Sequence, residues 1–336
     1  MSLPLIPDRP SLRRLRGGRY RRSEEYLANE CVWDRVREEQ DLGTLCLSAA
    51  EAICSQHGLE GRPIKFSAGF AVVFGVGPEH VIKLYSPYFA EDRRIEATAL
   101  TCLSKLPGIP TPEVIGSGEV EGWPYLVMTR LHGQQLSALW PSLAQADRLS
   151  LAKQVGVAVR ELHGTAVGQQ AAALRVDWVD FVRNQAMGCE RQQSGEDLDP
   201  QWLEQIGPFL SRILPELEEP EHSALLHCEL TDGAFFAEQS PSGWELSGLC
   251  DFGDAFVGHP EYDLGAPAVF IARGEPGVYS AFLSAYGATH SSALCRRLLA
   301  YLLLHPYSSL PWYMRKAPPG HDITSLDDLA EFWFGG

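Results

Sequence analysis

No uninterrupted apolar run approaches the ~18 residues of a membrane-spanning helix, and no hydrophobic segment follows a basic one near the start. Neither a membrane anchor nor a secretory leader is therefore expected. Cys-x-x-Cys pairs are missing too. The eight cysteines, at 31, 46, 54, 102, 189, 228, 250 and 295, have no histidine at zinc-finger spacing, so reduced and mostly buried thiols in a cytoplasm are the expectation. Positive charge is scarce: 28 Lys and Arg stand against 43 Asp and Glu, for a net charge of −15. The deficit lies in one half, since residues 134–336 carry 12 basic against 26 acidic side chains, whereas residues 1–133 carry 16 against 17. Such a surface repels nucleic acid and attracts cations, which favours a small cationic partner over a nucleic acid; a merely soluble acidic surface is the plainer alternative. Internal repeats and low-complexity segments are also absent.

What is present is enough chain for two cores, with 336 residues of which 45% are apolar. Arg9, Arg13, Arg14, Arg16, Arg19, Arg21 and Arg22 crowd the start with Tyr20 the only aromatic residue among them, the pattern of a mobile basic arm. Helical spacing follows from Ser23 to Gly58, broken near Asp41-Leu42-Gly43 into two helices. Residues 59–133 change character. Short β-rich runs around Gly69, Gly75 and Gly77-Pro78 predict antiparallel hairpins, then a helix at about 90–106 and two more strands at 113–115 and 124–129. Beyond Gly133 the period is mainly helical, as in Ala144 to His163, except for strands at 225–226, 235–237 and 244–249. Further helices are predicted at about 264–272, 277–286, 291–304 and 325–334, while Asp177 to Cys189 cannot be placed. The organisation expected is a basic arm and helical extension over 1–58, a β-rich lobe over 59–133 and a helical lobe over 134–336.

Several side chains in this order are candidates for chemistry. Ser67 and Gly69 lie in a small-residue turn between strands whose amides can cover phosphates, although alone such a turn is only a hairpin. Lys83 sits in a strand between apolar residues, where an ammonium is costly unless it meets anions. Glu96, 13 positions on in a predicted helix, is suited to pair with it. The run Leu126 to Gly133 joins the two halves, with Met128 and Thr129 as candidates to meet a nucleotide base through an apolar wall and backbone groups. Glu229 and Asp251 flank a hairpin, which brings carboxylates 22 positions apart to one place. Asp251, at a strand end, suits Mg²⁺, which prefers one or two carboxylates plus phosphate oxygens. Glu229 suits proton acceptance from a hydroxyl.

Taken together, Lys83, Glu96, the linker at 127–133, Glu161-Leu162-His163, His227-x-Glu229, Asp251-Phe252-Gly253-Asp254 and His259-Pro260-Glu261-Tyr262-Asp263 resemble successive landmarks of the aminoglycoside phosphotransferase family over about residues 60–290. The resemblance implies an α+β, protein-kinase-like two-lobe fold, ATP and Mg²⁺ as cofactors, and a hydroxyl of a small molecule as phosphoryl acceptor. Lys83 would then hold phosphates, Asp251 the metal and Glu229 the hydroxyl, with Asp263 bracing the loops. The family pattern His-Gly-Asp-x-x-x-x-Asn is matched by His227, Cys228, Glu229 and Ala234, so two side chains depart from it. Hygromycin-type kinases resemble this chain in having Glu after the His and in the tail from Leu302 to Pro319. Ala234 removes one metal ligand, and Asp232, two residues earlier, is a candidate replacement. A catalytically impaired nucleotide-binding or interaction module is the alternative. A protein kinase is less supported, because no Ala-Pro-Glu segment follows Asp251.

Overall fold

The computed structural model describes residues 42–66, 71–104, 108, 110–166, 168–218 and 223–335. The arginine-rich arm, the first predicted helix, and the candidates Ser67 and Gly69 lie outside them.

Five short β-rich runs, β1 (Pro63–Lys65), β2 (Val72–Val76), β3 (His80–Leu84), β4 (Val114–Val120) and β5 (Trp123–Thr129), form one antiparallel sheet in the order β1-β2-β3-β5-β4. The β4–β5 connection is Glu121-Gly122, both at positive φ, as a two-residue hairpin turn of type I′ requires. Strand alternation then sorts the side chains by face. Phe74, Val76, Ile82, Leu84, Tyr125 and Val127 pack under the helix Leu42–His57, through its Cys46, Ala50 and Ile53. The predicted helical extension thus closes one face of the sheet. Leu126 and Met128 face the other way, toward the helix Ala90–Leu103 and the core of the helical lobe. Lys83 lies opposite Leu126 in the β3–β5 register, so it shares that inner face while Ile82 and Leu84 fill the outer core.

After β5 the chain crosses to the helical lobe and forms β6 (Gln134–Gln135), which pairs later strands rather than the first sheet. Gly133 sits at this crossing with φ +91, and a Cβ there would lie 2.4 Å from the Ala237 carbonyl oxygen. The helix Gln145–His163 packs closely on Pro276–Tyr286, because Gly156 leaves room where a Cβ would stand 2.3 Å from the Phe282 carbonyl. The unplaced segment forms a helix, Trp178–Gly195, which packs against Pro200–Glu218. The latter carries Pro208 and Pro215 on its exposed face, and two helix breakers conceal such a helix from local propensity. Two small pairings complete the lobe. β7 (Ala224–Leu226) meets β10 (Phe256–Gly258), while β8 (Phe235–Ser240) and β9 (Gly243–Leu249) form the hairpin that also holds β6. The helix expected at 264–272 divides into a 3-10 segment, Pro260–Leu264, and a short helix, Ala266–Phe270. Those at 277–286, 291–304 and 325–334 form with ends shifted by no more than a residue. The architecture is a protein-kinase-like pair of lobes, antiparallel sheet above and helices below, and no helix among the described residues is long and apolar enough to cross a membrane.

Candidate active site

Between the lobes lies a cavity of about 1010 Å³. Its roof comes from Val73, Val81, Lys83 and Met128 of the sheet, its rear wall from Asp92 and Glu96, and its floor from Glu229, Asp251 and Asp254. Lys83 is the centre of the charge arrangement. Its ammonium donates to Glu96 Oε2 at 2.7 Å and to Asp251 Oδ1 at 2.6 Å. Burial disfavours the ammonium, yet the facing Asp251 and Glu96 carboxylates overcome this and hold its pKa above the usual lysine value. Tyr85 also donates its hydroxyl to Glu96 Oε2, so Glu96, 2% exposed, is fixed from two sides.

Asp251 is unlike Glu96 in its access to water. Its side chain is 60% exposed, but into the cleft rather than outward. Lys83 holds its carboxyl below the usual range, against the opposing effect of desolvation. The other floor carboxylates move the opposite way. Burial first, then Asp251, raises Asp254 to about 6. Burial, Asp254 and Asp251 raise Glu229, and burial with Asp254 raises Asp92. One ammonium therefore faces more negative charge than it balances, an arrangement that a divalent cation would relieve.

The loops that carry these groups are tied by His227. Its Nε2–H donates to the Cys250 carbonyl at 2.9 Å, and its Nδ1 accepts from the Glu229 amide at 3.2 Å, so one neutral ring links the Glu229 and Asp251 loops. Burial lowers the His227 pKa, which keeps that neutral tautomer. Asp263 accepts from the amides of His227 and Cys228 at 2.7 and 2.8 Å and from His163 Nε2 at 3.1 Å, the bracing role the resemblance implied. Cys228 stands where the family pattern has Gly, and its φ of +74 explains why. A left-handed non-glycine residue costs about 1–2 kcal/mol, and here its N–H, donating to Asp263, and its carbonyl, accepting from His305 Nε2–H at 3.1 Å, hold it in place. Asp251 is likewise left-handed, at φ +71.

Two expectations change at this level. Asp232 does not enter the cleft; its carboxylate accepts from Arg273 Nη2 at 2.9 Å with the side chain 10% exposed, so it is not a replacement metal ligand. Thr129 lines the cavity, but its amide is given to the Glu113 carbonyl at 2.9 Å and its hydroxyl accepts from the Glu113 amide at 2.8 Å. Beyond it Arg130, Leu131 and Gly133 line the cavity, and the Arg130 amide is likewise given, to the Glu79 carbonyl at 2.8 Å. Ala234 is buried at the foot of the hairpin, where its carbonyl accepts from Cys250 N–H at 3.0 Å, and its methyl supplies no ligand. Sequence reading missed Asp92 and Tyr307 as cleft residues. Asp92 lies one helical turn before Glu96, a spacing that places it on the same face. Tyr307, whose hydroxyl lies 3.3 Å from Asp254 Oδ1, comes from the segment that follows the helix Ser292–Leu303.

A β-roofed cleft with a lysine bridged to two carboxylates, above loops carrying further acids, defines a kinase-like phosphotransferase fold. The sequence model of the phosphotransferase enzyme family matches residues 60–295, and the chain belongs to that family. Among solved structures, it is similar to aminoglycoside 2'-phosphotransferase-IIIa in its GDP complex, with 18% identity, a TM-score of 0.64, and 76% of this chain and 88% of the other covered. It is similar as well to the streptomycin–ATP ternary complex of APH(2'')-IIa, at 17% identity and TM-score 0.55, covering 76% and 86%. A third is APH(3'')-Id from Streptomyces rimosus in complex with ADP and streptomycin, at 19% identity and TM-score 0.56, covering 77% and 98%.

Proposed function

We propose that this chain transfers the γ-phosphoryl group of ATP, with Mg²⁺, to a hydroxyl of a small cationic molecule of the aminoglycoside or aminocyclitol kind. The observation that carries the reading is Lys83, held between Glu96 and Asp251 at the edge of an undercompensated carboxylate floor. Bound ATP and Mg²⁺ would supply the phosphoryl group and neutralise its charge. Asp251 and Asp254 are the residues to hold the cation, and Lys83, oriented by Glu96, is the one to hold phosphates. Glu229 accepts the hydroxyl proton in this reading, since it stands on the floor of the same cavity as Lys83 and Asp251. His227 sets the loop from which it extends. The acidic helical lobe draws a cationic substrate toward the floor. The described cysteines are all free thiols, in keeping with a reducing cytoplasm.

The test is a screen of cationic polyhydroxyl compounds with ATP and Mg²⁺, read by mass as phosphorylated product. Asp251→Ala is expected to abolish turnover in a folded protein, and Glu229→Gln to lower kcat by about 10²–10⁴-fold, the usual range for a general base. Full turnover in Asp251→Ala refutes the assignment. Ala234 favours a second reading, a nucleotide-binding module without catalysis. Nucleotide binding with no phosphorylated product across the screen, in a protein that retains its fold, would select it.

A further inference from the structure

Away from the cleft, three different ligand types converge. His290 precedes the helix Ser292–Leu303, Cys295 lies in its first turn, and Glu331 projects from the final helix, Leu326–Phe334, packed beside it. Cys295 Sγ is 3.3 Å from His290 Nε2, and that nitrogen is 3.9 Å from Glu331 Oε2. All three ligand atoms lie within 4.8 Å of one another. For zinc, with bonds of about 2.3 Å to sulfur and 2.0–2.1 Å to nitrogen, a tetrahedron has edges of roughly 3.4–3.6 Å. The observed spacing needs only small side-chain rotations to reach that.

We propose that His290, Cys295 and Glu331 form a binding site for a divalent cation of the zinc class. The donors decide the class. Thiolate and imidazole select zinc-like ions, whereas Mg²⁺ and Ca²⁺ take oxygen ligands. A thiolate and a carboxylate also balance the double charge. Local structure sets the positions: Ser291 caps the helix by accepting the Leu294 amide at 3.2 Å, and Cys295 N–H donates to the Ser291 carbonyl at 3.0 Å. Cys295 is 1% exposed, while the side chains of His290 and Glu331 are 42% and 43% exposed. The sulfur is thus anchored in the helix packing, and the outer side remains open to a water as fourth ligand. On binding, the S–H bond breaks, a sulfur–metal bond forms and the proton passes to solvent.

The experiment titrates the full chain, stripped by chelator, with Co²⁺ and then Zn²⁺. One equivalent of Co²⁺ is expected to produce a near-ultraviolet thiolate-to-cobalt band that Zn²⁺ abolishes. The band disappears in Cys295→Ser and persists in Asp251→Asn, which separates this site from any cation held in the cleft. Because Cys295 is buried, the exposed variants His290→Ala and Glu331→Gln provide the independent check, with each weakening Zn²⁺ at least tenfold in a chain of unchanged circular dichroism. Absence of the band, its persistence in Cys295→Ser, or unchanged Zn²⁺ affinity in either exposed variant overturns the proposal.

Discussion

At the scale of single residues, the cleft keeps negative charge close together at the expense of stability. Asp254 shows the sign of this. Its pKa is raised from 3.8 to about 6, so its proton is held more tightly in the folded chain than in the unfolded one. Its contribution to stability is fully present below about pH 4 and is lost as pH rises through about 6. At neutral pH the ionised group opposes folding. Asp254→Asn is therefore expected to stabilise the metal-free protein by about 1 kcal/mol at pH 7 and by little at pH 4, while phosphotransfer falls. Urea midpoints at the two pH values measure this; equal shifts at both, or none at pH 7, refute it. Lys83, Glu96, Glu229 and Asp251 were legible as residue types in order along the chain. Asp92 and Tyr307 were not, because nothing local distinguishes a cleft-facing acid or tyrosine from one on a surface.

At the scale of elements, the hairpin of β8 and β9 and the crossing at Gly133 set the site. The hairpin returns Cys250 to Ala234, 3.0 Å from amide to carbonyl, and so puts the Asp251 loop beside the Glu229 loop. Gly133 lets the chain pass close to that same hairpin. Gly133→Ala introduces a left-handed strain and a contact of 2.4 Å with a backbone oxygen. A destabilisation of about 2–4 kcal/mol is expected, since neither backbone can withdraw without disturbing strand pairing. Chemical denaturation checks it, with a loss under about 0.5 kcal/mol counting against the account. Hairpins were readable from alternating apolar runs and turn glycines. The helix Pro200–Glu218 was not, since it contains prolines that local propensity reads as stops. Packing against Trp178–Gly195 overrides that propensity, as burial of an apolar stripe outweighs two missing backbone bonds.

At the scale of the whole molecule, two lobes meet over a cleft whose floor repels anions. Uncomplexed ATP brings more negative charge to Glu229, Asp251 and Asp254, whereas ATP with Mg²⁺ brings its own compensation. Saturating ATP with Mg²⁺ is therefore expected to raise the melting temperature, corresponding to ~2.7 kcal/mol at a hundred times Kd, and ATP with chelator to raise it much less. Equal shifts under both conditions would remove the cation from the account. The acidic half of the chain is legible as a sum from composition. Where those charges converge is a property of the lobes together.

Most element types, the order of the landmark residues and the departures at Glu229 and Ala234 are legible along the chain, because hydrophobic period, turn residues and side-chain identity are local properties. Only the tertiary structure decided that Asp232 belongs to Arg273 rather than to the cleft, that Thr129 spends its amide on Glu113, and that His290, Cys295 and Glu331 share one place. Such pairings join residues up to 41 positions apart. Direction in space follows from packing of elements against one another, and a list of residue types carries no information about which way each side chain points.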